Sequence, residues 1–305
     1  MMVQAEWATH RERGSSLLLR VMAFLSLRLG RNLSRSALYG IAAYFFLFAP
    51  AARRHSRRYL RLALGRSPRA RDRFRQIMSF ATTIHDRVYL INGQYETFDI
   101  TLEGEGLMLA RQASGRGALL MGAHMGSFEV MHSLGRRQPG LRVAMAMYEE
   151  NARKINAILA AINPRLQADI VPLGQLDAML NIAQRLDRGG FVGVLGDRTL
   201  GDEPVQEVFL LGERARLPTG PMRAAAILRC PVFFMVGLYR GGNRYHVVFE
   251  QVADFSATPA GARSTAVREA VERYAAVLDR YCRSDPYNWF NFFDFWRAGP
   301  ATPQP

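Results

Sequence analysis

Cysteine is scarce in this chain: of 305 residues only Cys230 and Cys282 carry a thiol, with no CxxC pair and no metal-ligand spacing about either. That excludes a disulfide-stapled scaffold and a structural zinc site, and leaves two reduced thiols of a core or surface. Lysine is scarcer still, Lys154 standing alone, so the 40 basic residues are almost all arginine and no single arginine is informative by itself. Long uncharged apolar runs are missing too: the longest, residues 36–49, falls short of the roughly twenty residues of a spanning helix. No small-residue cleavage site follows it, and Pro50 leads into further arginines, so it is no signal peptide. There is no G-x-S-x-G elbow, which argues against a serine hydrolase of that kind. Zinc-finger spacing, an RNP-like aromatic motif and a helix-turn-helix are all absent, which removes the usual carriers of nucleic-acid recognition. No internal repeat or low-complexity segment occurs.

What is present is unevenly spread. Residues 1–75 hold 16 arginines against Glu6, Glu12 and Asp72, which places +13 of the net +14 in the first quarter of the chain. Residues 15–49 are mostly apolar but interrupted by Arg20, Arg28, Arg31 and Arg35, which suits a helix pair lying in a membrane interface. Phe24, Leu25, Tyr44, Phe45, Phe46 and Phe48 would insert there, with the arginines reaching lipid phosphates. Ordinary core helices of an α-helical cap are the competing reading. Residues 53–75 add ten arginines on a helix, a turn at 65–68 and the start of a second helix, a run whose natural partner is anionic lipid. His85, Asp86 and Arg87 follow on an amphipathic helix, expected to be a solvated face, with contact to a substrate headgroup as the alternative.

From residue 97 the pattern becomes regular. Strands are expected at 97–103, 118–123, 142–148, 169–173, 191–195 and 205–211, with helices at 104–113, 127–134, 151–162 and 176–188 between them. A helix at 222–229, a hairpin of 231–239 with 245–250, and a helix at 263–282 complete the chain. Short links between alternating strands and helices give an α/β fold, a mostly parallel central sheet with helices on both faces, preceded by an N-terminal membrane-associated helical segment. Three parts are expected: arginine-rich attachment helices at 1–75, the α/β domain at 76–297 and a disordered tail at 298–305.

The chemistry concentrates in ALLMGAHMGSFEV, residues 118–130, where an apolar strand ends in Gly-Ala and His124 and Glu129 form an H-x4-E signature. A neutral imidazole can take a proton from a hydroxyl or amine attacking a thioester, provided its tautomer is fixed, and Glu129 is the expected orienting group. Positions five apart on one helix diverge by about 140°, so a turn is needed, and Gly126 and Ser127 supply it as flexible joint and N-cap. The helix start, or the one after Thr219-Gly220-Pro221, offers N–H groups to an oxyanion or phosphate. Asp197 and Arg198 follow the strand 191–195. If that strand lies beside the first, they reach the same rim, Arg198 to hold a phosphate or carboxylate; a structural pair is the alternative. The closing PYNWFNFFDFW, residues 286–296, holds seven aromatics in eleven positions and reads as a packed lid or a second interfacial contact. A metal hydrolase on His124, Glu129 and His132 matches no common zinc spacing, and a non-catalytic basic membrane- or nucleic-acid-binding protein is the rival from outside enzymes.

GAHMGSFE, LGDR after a later strand, FLLGERARLPTGP before a helix, and PYNWFNFFDFW, in that order over residues 15–297, resemble the lipid A biosynthesis late acyltransferase family, in a divergent branch. The resemblance implies a membrane-associated acyltransferase at the cytoplasmic face of a bacterial inner membrane. It would move a fatty acyl group from acyl-acyl-carrier-protein or acyl-CoA to a hydroxyl or amine of a lipid or glycolipid acceptor, with no metal or other cofactor and no nucleic acid. His124 matches the family's base and Glu129 its acidic partner. Asp197 and Arg198 fall where the family places an Asp and a polar residue near the site. A glycerophosphate-type acyltransferase or lipid hydrolase is the alternative enzyme, although the former typically has Asp where this chain has Glu129.

Overall fold

The computed structural model describes residues 16–131, 141–163, 169–175, 177–199 and 203–296. Among the described residues four helices come first: α1 (Ser16–Leu29), α2 (Arg31–Phe48), α3 (Pro50–Leu64) and α4 (Ala70–Ile91). Gly30, at φ 76°, breaks α1 from α2, Pro50 opens α3 and a left-handed Gly65 closes it. In α3 the buried residues are Ser56, Tyr59, Leu60 and Ala63, one stripe at helical spacing, while Arg54, Arg57 and Arg61 stay exposed.

The α/β part follows as β1 (Asp99–Glu103), α5 (Glu105–Ala113), β2 (Leu119–Gly122), β3 (Val143–Tyr148), α6 (Glu149–Ile162), β4 (Ile170–Leu173), α7 (Ala178–Asp187) and β5 (Phe191–Leu195). A separate antiparallel hairpin, β6 (Val205–Leu210) with β7 (Glu213–Pro218), precedes α8 (Gly220–Leu228), β8 (Pro231–Tyr239), β9 (Arg244–Asp254) and α9 (Arg263–Ser284). Seven strands form one sheet in the order β1-β9-β8-β2-β5-β3-β4, parallel throughout except for the β8/β9 pair. Alternation divides the central strands between two cores. Leu119, Met121, Val192 and Phe234 join α3, α8 and α9 on one face, while Leu120, Phe191, Phe233 and Met235 join α4 and α5 on the other. Strands buried on both sides read as unbroken apolar runs, which is why 118–123 and 231–239 look alike in sequence.

The hairpin departs from expectation in its second strand, for which the sequence predicts only a connection into the helix at 222. Its residues pair with β6 from Val205 opposite Pro218 to Leu210 opposite Glu213. Two of the four arginines in the apolar segment also differ from the interfacial reading. Arg31 is buried against Asp86, with Nε–Oδ1 2.7 Å and a second bond of 2.8 Å, and Arg35 donates to the Tyr239 hydroxyl. Nor do His85 and Asp86 form a solvated face. Both are buried: Asp86 also accepts from Tyr245, and His85 meets the Ser34 hydroxyl at 2.9 Å. The boundary drawn at residue 75 falls inside α4, and the tail 298–305, like residues 132–134 of the expected helix 127–134, lies outside the described residues.

Candidate active site

β2 and β5 are parallel neighbours, with Gly122 opposite Leu195, so the residues just past their carboxyl ends share one rim of the sheet. His124 follows β2 and Asp197 follows β5. The carboxylate of Asp197 is fully buried and grips the histidine twice: Oδ1 meets Nδ1 at 2.9 Å, and Oδ2 accepts the backbone N–H of His124 at 3.0 Å. A third donor, the indole N–H of Trp289, reaches Oδ2 at 3.0 Å. An ionised carboxylate only accepts, so Nδ1 carries the ring proton and Nε2 is left as the basic nitrogen. The His124 side chain keeps 32% of its surface exposed.

Electrostatics favour a neutral base. Burial pulls the His124 pKa below the ordinary imidazole value; the Asp197 charge offsets this in part, while the nearby Arg198 adds to it. Burial works to raise the Asp197 pKa, but the attraction of His124, its hydrogen bond, Arg198 and the Trp289 donor together hold it far below the usual carboxylate range.

The loop that carries His124 is fixed by its neighbours. Gly126 sits at φ 66°, and a Cβ there would lie 2.0 Å from the carbonyl oxygen of Gly237. Only glycine allows the loop to lie so close on β8. Its N–H donates to the Asn288 carbonyl at 2.9 Å and that of Ser127 to the Gly237 carbonyl at 2.8 Å. Ser127 caps the turn at 128–131, its hydroxyl accepting from the Val130 N–H at 3.4 Å. The N–H groups of Gly126 and Ser127, at the helix start expected to face an oxyanion or phosphate, thus donate within the protein.

Glu129 turns elsewhere. Its carboxylate pairs with Arg87 of α4 at 2.6 Å, both side chains largely buried, and its other oxygen accepts from the Ser127 hydroxyl at 3.3 Å. The bonds of His124 go to Asp197, just past the neighbouring strand β5, and not to Glu129, the orienting group expected from the sequence. Arg198 lies over the Phe293 ring at 4.8 Å and donates to the Phe290 carbonyl at 3.0 Å. Thr219 and Gly220 open α8, and Thr219 bends back on Pro204, its N–H and hydroxyl both donating to that carbonyl. No hydrogen bond joins this pair to His124 or Asp197 among the described residues.

The sequence reading missed Trp289, Asn288 and Tyr274. The segment 286–296 lies along the histidine loop, with bridges between Met125 and Trp289 and a Phe290 N–H to the His124 carbonyl at 2.9 Å. Asn288 pairs with both main-chain groups of Tyr239, and the Tyr274 hydroxyl donates to the Gly122 carbonyl at 2.8 Å. The aromatic density of PYNWFNFFDFW was the available signal, and it pointed to packing without saying against what.

At the carboxyl rim of this α/β sheet a histidine is tied through Nδ1 to a buried carboxylate, an arrangement suited to general-base chemistry. Residues 4–298 match the model of the family described as bacterial lipid A biosynthesis acyltransferase, and the chain belongs to that family. It is therefore an acyltransferase of lipid A biosynthesis type at the level of the family. No curated protein matches the chain.

Proposed function

We propose that the chain transfers a fatty acyl group from an acyl thioester, on acyl carrier protein or coenzyme A, to a hydroxyl or amine of a lipid or glycolipid acceptor, with His124 as the base. The observation that carries this reading is the double grip of Asp197 on His124, which fixes Nδ1–H inward and leaves Nε2 as acceptor. Nε2 takes the proton of the acceptor group as its oxygen or nitrogen attacks the thioester carbonyl carbon. The tetrahedral intermediate then collapses with cleavage of the carbon–sulfur bond, and the departing thiolate takes the proton back from the imidazolium. Asp197 stabilises that imidazolium. Arg198 lies close enough to lower the His124 pKa and supplies positive charge for the oxyanion or for a phosphate of either substrate. Glu129, in this reading, holds Arg87 in place.

A lipid acceptor is supported by what leads to the site. Phe290, bonded through its N–H to the His124 carbonyl, stacks edge-on with Phe80 at 5.1 Å, and Phe80 meets Phe292 at 5.6 Å. Phe292 packs with Leu38 and Ala42 of α2 and with Ile77 and Met78 of α4. Beyond them α1 and α2 expose Phe24, Leu25, Tyr44, Phe45 and Phe48, five of the six side chains expected to insert, whereas Phe46 packs inward on Phe74. No described helix is long and apolar enough to cross a membrane, and peripheral docking at the cytoplasmic face of the inner membrane is the arrangement we infer. The arginine-rich stretch 1–75 then serves as the attachment segment and 76–297 as the transferase body.

The test is consumption of acyl thioester by the purified chain on anionic vesicles that contain bacterial lipid extract, with mass spectrometry of the product. Wild type is expected to form a new acylated lipid and His124→Ala none. Full activity in a folded His124→Ala protein ends the assignment.

A further inference from the structure

We infer that the segment 286–296 is working machinery of the site and that Trp289 is a positioning residue, its indole N–H sharing the charge of Asp197 and thereby setting how strongly that carboxylate holds the proton on His124. The inference rests on the assignment of His124 as base.

Packing alone does not account for Trp289. It is 1% exposed and meets Tyr59, Phe295 and Trp296 edge-on, contacts that any large aromatic could make. What it alone supplies is a donor 3.0 Å from Oδ2 of Asp197, the same oxygen that accepts the His124 backbone N–H. Oδ1 serves the imidazole and Oδ2 serves the main chain and the indole, so the carboxylate is divided between holding the ring and holding the loop. A carboxylate left wholly to the imidazole favours the protonated ring, raising its pKa so that less of the ring is free to accept a proton near neutrality; hydrogen bonds from elsewhere temper that attraction. The charged groups that act on His124 are Asp197 and Arg198. On Asp197 they are His124 and Arg198, with Tyr274 and Cys282 of α9 buried nearby.

The indole is itself held from the N-terminal helices. The Trp289 carbonyl accepts from the Gln76 amide of α4 at 2.7 Å, and Gln76 accepts from the Ser56 hydroxyl of α3 at 2.6 Å, both residues fully buried. Together with the Met125–Trp289 bridge, this puts Trp289 between the arginine-rich helices and the histidine loop.

Two replacements in the full chain test the assignment: Trp289→Phe, and β-(3-benzothienyl)alanine at 289, which keeps the bicyclic shape and lacks only the N–H. The readout is the pH dependence of His124 acylation by diethyl pyrocarbonate, followed by mass spectrometry of its peptide, beside acyl-transfer kinetics. Loss of the donor is expected to raise the apparent pKa of His124 by about one unit and so lower kcat about tenfold on the acid side of the limb and by at most about threefold at pH 7, with KM within about twofold. The acid limb of the rate profile should move to higher pH with it. If Trp289→Phe fails to fold, the isosteric residue decides. A titration of His124 that superimposes on wild type in the isosteric protein overturns the inference. A shifted titration in a chain whose wild type transfers no acyl group upholds the positioning role and removes the proposed reaction instead, so the two failures are told apart.

Discussion

At the scale of single residues the site turns on which carboxylate serves which cation. Asp197 faces His124 and Glu129 faces Arg87, so two acids within one site carry different loads. Replacing Asp197 by Asn keeps the shape but removes the charge that fixes the tautomer, and kcat is expected to fall by about 10²–10⁴. Because Asp197 raises the His124 pKa against burial, its loss should also move the acid limb to lower pH. The wild-type limb itself should lie below the ordinary imidazole value of about 6.5, with the rate rising as pH increases through it and then levelling off. Glu129→Gln should leave that limb where it is, while weakening the buried pair with Arg87 and raising KM. A rate–pH profile of the three proteins checks both statements, and an acid limb displaced in Glu129→Gln would return Glu129 to direct contact with the base during turnover. The His124 turn was legible because strand, Gly-Ser and H-x4-E are local features. The choice of Asp197 was not, because 73 residues separate it from His124.

At the scale of elements, the N-terminal helices are fastened to the sheet by a buried polar knot. Arg31 of α2 lies bidentate on Asp86 of α4, Asp86 also accepts from Tyr245 of β9, and Arg31 donates to the Gly242 carbonyl in the β8–β9 turn. Burial opposes a charged Asp86, but His85, Arg31 and Tyr245 together bring its pKa below the ordinary value. Removing either partner strands a charge away from water. Arg31→Ala or Asp86→Ala is expected to cost about 3–5 kcal/mol, and Arg31→Met with Asp86→Leu together distinctly less than the two single changes added. Thermal denaturation of the four proteins measures it. In sequence, Arg31 is one of four arginines in an apolar segment, and nothing local separates it from Arg20 or Arg28, which are exposed. The difference is made by what α4 and β9 bring opposite it.

At the scale of the whole molecule, an apolar face on α1 and α2 and an arginine-rich face on α3 lie on the same N-terminal part of the chain. Phe45→Ser with Phe48→Ser should reduce sedimentation with anionic vesicles severalfold while leaving the melting temperature within a few degrees, since both side chains are exposed. Arg54→Gln with Arg57→Gln and Arg61→Gln should weaken binding more at low salt than at high salt, because the charged contribution is screened. Equal vesicle binding by all three proteins would remove the docking face. The amino-acid sequence by itself determined the order and kind of nearly every element, the apolar and basic character of the first quarter, the glycine turn after β2 and the family. These follow from periodicity, turn chemistry and local composition, which act over a few residues. Tertiary structure decided the rest: that β5 lies beside β2, that a carboxylate from β5 and an indole from the chain's end meet at one histidine, and that Glu129 and Arg31 are committed to partners far along the chain. Contacts of that kind depend on the order in which strands enter a sheet. Periodicity records which face a strand buries and leaves its neighbour unspecified.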